Sequence, residues 1–206
     1  MSSFAISSQR RSAPTAAAVS ASAIALLALL GLPAAGSAGA AELTVSQTTM
    51  TVAHVTVSSP KPYAAVKREL EARLGKLDEH IRQLAREGKH DELRAALEKV
   101  AGSDGLVWHY TGTHGEWLIM KGGQVKPVTE YFIGNILSAV EMTSVNYASG
   151  LYAPLRIVLY ENAQGGSSIE YDQPSTQLSQ FHSPQIDAVG RTLDERLAKL
   201  VAAVEQ

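Results

Sequence analysis

The amino-acid sequence predicts an α+β protein, and three observations carry that expectation. Residues 48–58 alternate with the period of two of a strand: Met50, Val52, His54 and Thr56 fall on one face, Thr51, Ala53, Val55 and Val57 on the other. Residues 63–100 change to helical spacing, with Tyr63, Val66, Leu70, Leu74 and Leu77 in one series. Further on, "PLRIVLYE" and "SSIEYDQ" flank "NAQGG", a strand hairpin whose glycines supply the turn.

Each element has a local reason. "SSPKP" ends the first strand, and Ser59 before Pro60 suits a helix start. In "LDEHIRQLAREGKHDELRAALEKVAG", Leu77, Ile81 and Leu84 form one apolar stripe and Leu93, Ala96, Leu97 and Val100 another. Gly88 divides them, so the stretch reads as a solvated helical hairpin. From Leu106 the pattern shortens: "LVWHYTG" and "EWLIMKGG" read as strands around the loop "TGTHG", and "VTEYFIG" as a third after Pro127. Asn135 is placed to cap a short helix over residues 136–144, facing inward through Ala139, Val140 and Thr143. The last helix, residues 184–204, carries Ile186, Val189, Leu193, Leu197, Leu200 and Val204 at core spacing.

The first 41 residues read as a secretory signal: Arg10 and Arg11, the apolar "ASAIALLALLGLP", then the small residues of "AAGSAGAAE". The apolar part is shorter than the roughly 20 residues a membrane span needs. The expectation is therefore an exported, periplasmic or secreted protein with no stable membrane span after processing. A mobile segment over residues 42–47 would precede one domain over residues 48–206. Removing residues 1–41 takes away two arginines and no carboxylate, leaving 16 basic against 20 acidic residues and a net charge of about −4. That balance argues against a nucleic-acid partner. The absence of cysteine excludes disulfides, thiolate catalysis and thiolate-bound metals.

"YFIGNILSAVEMTS", "GLYAPLRIVLYE", "IEYDQPST" and "QF" together resemble the domain of unknown function 302 family, over about residues 48–204, and "THGEWL" around His114 looks like a further family feature. The resemblance implies a two-layer α/β sandwich: a mainly antiparallel curved sheet with helices on one face, often as a homodimer. Here the helical hairpin is inserted into it. The resemblance implies no reaction and no catalytic residues. The family pattern has proline where this chain has Ile136.

In the strand hairpin, Arg156, Val158 and Tyr160 share one sheet face with Ser168, Glu170 and Asp172, while Leu155, Ile157, Leu159, Ile169 and Tyr171 share the other, helix-covered face. Pairing near Arg156 and Asp172 would set a guanidinium beside one or two carboxylates. Two readings follow. Arg156 is the partner of a cross-strand ion pair, worth about 0–1 kcal/mol on a half-wet face, or it anchors a small anionic ligand together with Tyr160 and Tyr131. Asn135, Glu170, Asp172 and His114 complete the candidate ligand-binding set.

Six histidines invite a metal or haem reading, but their spacing argues against it. His109 and His114, with His182, are the least unsuitable ligands, and neither metal nor cofactor is expected. No nucleophile elbow, phosphate loop or dinucleotide fingerprint occurs. Glu141, Glu170 and Asp172 could in principle act as acid or base and His114 as a proton shuttle. The leading expectation is a non-enzymatic module that binds a small ligand or an envelope protein through the open sheet face. An enzyme of unassigned hydrolytic or isomerising chemistry, or a structural dimerisation module, are the alternatives.

Overall fold

Six strands form one open sheet in the order β1-β6-β5-β4-β3-β2 in a computed structural model that describes residues 43–206. The expected signal over residues 1–41 lies outside the described residues. Residues Gln47–Gln206 make one compact unit, and among the described residues no helix is long and apolar enough to cross a membrane.

The unit begins with β1 (His54–Ser59), α1 (Tyr63–Arg73) and the two-residue β2 (Gly75–Lys76). The helical hairpin follows as α2 (Glu79–Arg86) and α3 (His90–Val100), then β3 (Val107–Gly112), β4 (Val128–Gly134) and α4 (Ile136–Val145). β5 (Leu155–Glu161), β6 (Ser167–Asp172), α5 (Pro174–Leu178) and α6 (Pro184–Glu205) complete it. Strands β1, β6, β5, β4 and β3 pair antiparallel; β2 runs parallel to β3.

The hairpin sets the frame. Asn162 Oδ1 accepts the backbone N–H groups of Gln164 and Gly166, and Gly165 takes a positive φ of 80° that suits glycine. Leu155, Ile157, Leu159, Ile169 and Tyr171 then point together into the core with Ile133, and α1 and α6 cover them with Val66, Leu70, Leu193, Leu197 and Leu200. This is the expected two-layer α+β architecture with helices on one face. The inserted α2–α3 hairpin buries a small set of its own, Ile81, Leu84 and Leu97, outside that main core. Asp78 caps α2 by accepting from Ile81 N, and the turn at Gly88 has φ 67°.

Five expectations change. α1 starts at Tyr63 with Pro62 at its N-cap instead of at Ser59 and Pro60, because Ser59 still pairs with Ser167 in β1. β1 starts at His54 instead of residue 48, because β6 ends at Asp172 and the chain turns at once into α5, leaving earlier residues without a partner strand. "EWLIMKGG" is no strand: residues His114–Lys121 form a 3-10 helix. This segment carries the chain from β3 back to β4, and Gly122, at φ 72°, ends it while donating to Ile119 O. On α4 Ala139 packs against the core as expected, but the fully buried residue is Met142, and Val140 is exposed. β2 was not expected at all; Gly75 permits it, since a Cβ there would lie 1.7 Å from Val100 O.

Candidate functional site

The register places three rows of side chains on the sheet's uncovered face. His54 faces Asp172, and Arg156 faces Phe132, which faces Tyr110 on β3. Carrying the β5–β6 register one residue outward sets Arg156 across from Asp172. In the next row Thr56, Glu170, Val158 and Glu130 stand side by side, and in the third Ser58, Ser168, Tyr160 and Val128.

His54 organises the acidic part. Its Nδ1 lies 2.8 Å from Asp172 Oδ1 and its Nε2 3.0 Å from Glu170 Oε2. Tyr160 donates its hydroxyl to the other Glu170 oxygen, and Gln177 Nε2 lies 3.4 Å from Asp172 Oδ2. Hydrogen bonds from Tyr160 and His54 hold the Glu170 carboxyl below its usual range. Bonds to Asp172 and Glu170 raise His54 above its usual value, and the bond to Glu170 raises Tyr160. His54 on β1 is thus tied to two carboxylates of β6, a setting that favours its protonated form.

The expected Arg156 ion pair is therefore not formed. Both carboxylates have His54 as their hydrogen-bond partner, and among the described residues Arg156 has no carboxylate within 4.0 Å. Its exposed side chain instead lines a cleft of about 340 Å³ with Asp172 and Gln177, walled by Met50, Tyr152 and Pro154. "LYAPLR" supplies that wall: a 3-10 turn over Tyr147–Tyr152 leads through a cis Ala153–Pro154 bond into β5. Gln180 Nε2 donates to Tyr152 OH at 2.7 Å and tightens the rim.

Tyr131 corrects the proposed anion anchor. It pairs with Ile157, shares the covered face and is fully buried. Its hydroxyl donates to Glu71 Oε1 at 2.9 Å, and burial, reinforced by Glu71, pushes the phenol far above its ordinary value. A buried tyrosine needs such a partner, so this side chain is structural. Asn135 is also committed: Oδ1 accepts from Ser138 N and Nδ2 donates to Gly105 O, both at 2.9 Å, capping α4 as expected. His114 stands apart from the cleft, its Nε2 2.9 Å from Glu130 Oε2. The candidate set thus divides: Arg156 and Asp172 line the cleft, Glu170 and Tyr160 brace Asp172's neighbour His54, and Tyr131, Asn135 and His114 lie elsewhere.

His54, Tyr152 and Gln177 are the residues that sequence reading did not single out. The alternation in residues 48–58 placed His54 on one face with Met50, Val52 and Thr56, and only the β1–β6 pairing, 118 residues apart in the chain, reveals its partners. Among the described residues no group of three or more His, Asp or Glu side chains could hold a metal ion.

The crystal structure of an uncharacterized conserved protein DUF302 from Bacillus stearothermophilus is similar, with TM-score 0.52 and 18% identity, covering 74% of this chain and 98% of that one. At that identity the likeness concerns the fold alone. Among curated proteins none matches the chain. The family described as Domain of unknown function DUF302 matches residues 82–204, more than half of the 206-residue chain, and the chain belongs to that family.

Proposed function

We propose that this protein is a non-enzymatic binding module whose cleft beside the open sheet face takes a small anionic compound, with Arg156 as its anchor. The observation that carries the reading is the division of charge. His54 occupies Asp172 and Glu170, while the Arg156 guanidinium faces a cleft of about 340 Å³ with no carboxylate in ion-pair range among the described residues. A guanidinium offers a planar fork of donors suited to a carboxylate or phosphate. Gln177 adds a hydrogen-bonding group, and Met50, Tyr152 and Pro154 add contact for a short carbon chain. The signal layout of residues 1–41 supports a site of action outside the cytoplasm. A homodimer that covers the open face is the competing use of this surface.

An acid–base enzyme would draw on the His54–Asp172 pair. That reading is weaker because a general base needs one ring nitrogen directed at substrate, and both His54 nitrogens already face carboxylates.

The test is a thermal-shift screen of the full chain with acetate, succinate, benzoate and inorganic phosphate, run beside native mass spectrometry. At least one acid should raise the wild-type midpoint and fail to raise that of Arg156→Gln. No shift with any acid, or a stable dimer that Arg156→Glu dissociates, would replace the ligand reading with an interface.

A further inference from the structure

A second cleft lies on the other side of the Tyr152–Leu155 wall. It begins with an irregularity in β3: Trp108 pairs with Ile133 and Tyr110 with Phe132, adjacent residues of β4, so His109 is an extra residue with no partner across the ladder. Such a bulge re-aims a side chain. The half-buried His109 imidazole lines a cleft of about 160 Å³, walled by Ile136, Ala139 and Met142 of α4 and by Pro154 and Leu155.

Two features make this space a receptacle. Gly134 opens it, since a Cβ there would stand 3.7 Å from His109 Nε2 and 3.8 Å from Pro154 and so project into the cleft. Among the described residues His109 is also its one uncommitted polar side chain. Asn135 has both ends of its amide engaged, and the Tyr152 hydroxyl is bonded to Gln180, whereas among the described residues neither ring nitrogen of His109 has a hydrogen-bond partner. Burial lowers the His109 pKa and so favours the neutral ring, in which one nitrogen donates and the other accepts. Among the described residues no charged side chain lines the cleft.

Size and chemistry then select the ligand. An apolar protein cavity of roughly 150 Å³ accommodates benzene. A carboxylate would have to be desolvated here without a cation, at high cost. We infer that this cleft is a binding site for an uncharged monocyclic aromatic carrying one hydroxyl, a phenol, with the ring against Met142, Ile136 and Leu155 and the hydroxyl on His109. Thioether–aromatic contact favours Met142 as part of that wall. The site is separate from the Arg156 cleft, which has its own polar lining.

The experiment is a titration of full-length protein carrying ¹³C-labelled methionine methyl groups with phenol, toluene and benzoate. The chain has four methionines, and Met142 lines this cleft while Met50 lines the other. Phenol should move the Met142 methyl saturably, leave Met50 in place, and bind about three- to tenfold tighter than toluene, the worth of one neutral hydrogen bond. Benzoate should not move Met142. His109→Ala should abolish the phenol preference while retaining toluene, Gly134→Ala should weaken both ligands together, and Arg156→Gln should change neither. The inference is overturned by equal phenol and toluene affinities that His109→Ala leaves alone, by a Met142 signal that phenol does not shift, or by Gly134→Ala binding like wild type.

Discussion

The two faces of the sheet are built on opposite principles. On the covered face Ile157, Leu159 and Ile169 are fully buried under α1 and α6, and burial of apolar surface, about 25 cal/mol per Å², holds them. On the uncovered face the same strands carry His54, Asp172, Glu170 and Tyr160, joined by hydrogen bonds that water screens. The first face supplies stability and tolerates little change. The second contributes little stability, and among the described residues its Arg156 has no carboxylate within 4.0 Å.

The largest effect should come from cutting the covered face. Ile157→Ala should destabilise by about 2–5 kcal/mol in urea denaturation, because the site is closed on all sides. Its neighbour Val158→Ala, on the uncovered face, should cost about 1 kcal/mol or less. Equal losses would mean that the uncovered face is closed by something in solution, a second copy foremost.

Ile136→Pro should be smaller and of opposite sign. Asn135, at φ −127° and ψ 118°, already has the extended conformation that precedes proline, and it caps α4 through Ser138 N. Proline at the first helical position forfeits only an orphan N–H and restricts the unfolded chain, so a gain of up to about 1 kcal/mol is expected in thermal unfolding. A lower midpoint would show that the Ile136 side chain in the His109 cleft outweighs that gain.

The His54 clasp should register in pH dependence. Its folded pKa lies above the ordinary 6.5, so its stabilisation is full below pH 6.5 and fades as pH rises through the folded value. The Glu170 pKa lies below the ordinary 4.5, so that contribution is full above pH 4.5 and fades as pH falls through the lower folded value. The midpoint difference between wild type and His54→Gln should therefore be greatest between pH 4.5 and 6.5 and shrink on either side. A difference that grows above neutral pH would contradict the clasp. Smallest of all, Arg156→Gln should change stability by no more than about 0.5 kcal/mol.

Much of this contrast was legible in the sequence. Alternation in β5 and β6 separated Leu155, Ile157 and Ile169 from Arg156 and Glu170, and helical spacing identified the buried line of α6 from Ile186 to Val204. Capping chemistry located α4 at Asn135. What alternation does not carry is which strands become neighbours and in what register. Tyr131 was grouped with Arg156 and Tyr160 as an anion anchor, but its pairing with Ile157 turns it inward. His54 reads as an isolated histidine until β1 docks on β6. His109 lies in a bulge, where the period of two fails by one residue and the sequence pattern gives no warning. The run Trp117–Leu118–Ile119–Met120 has the composition of a strand yet is exposed in a 3-10 turn, because the connection from β3 to β4 decides its geometry.

If Arg156 anchors an anion while His54 holds the carboxylates, the methyl group of Met50, which lines the same cleft, reports on the binding directly. Succinate titrated into the methionine-labelled full chain should shift the Met50 signal saturably and leave Met142 unmoved, and Arg156→Gln should abolish the shift without altering the fold. A Met50 methyl that does not respond to succinate, or responds equally in Arg156→Gln, would contradict the account.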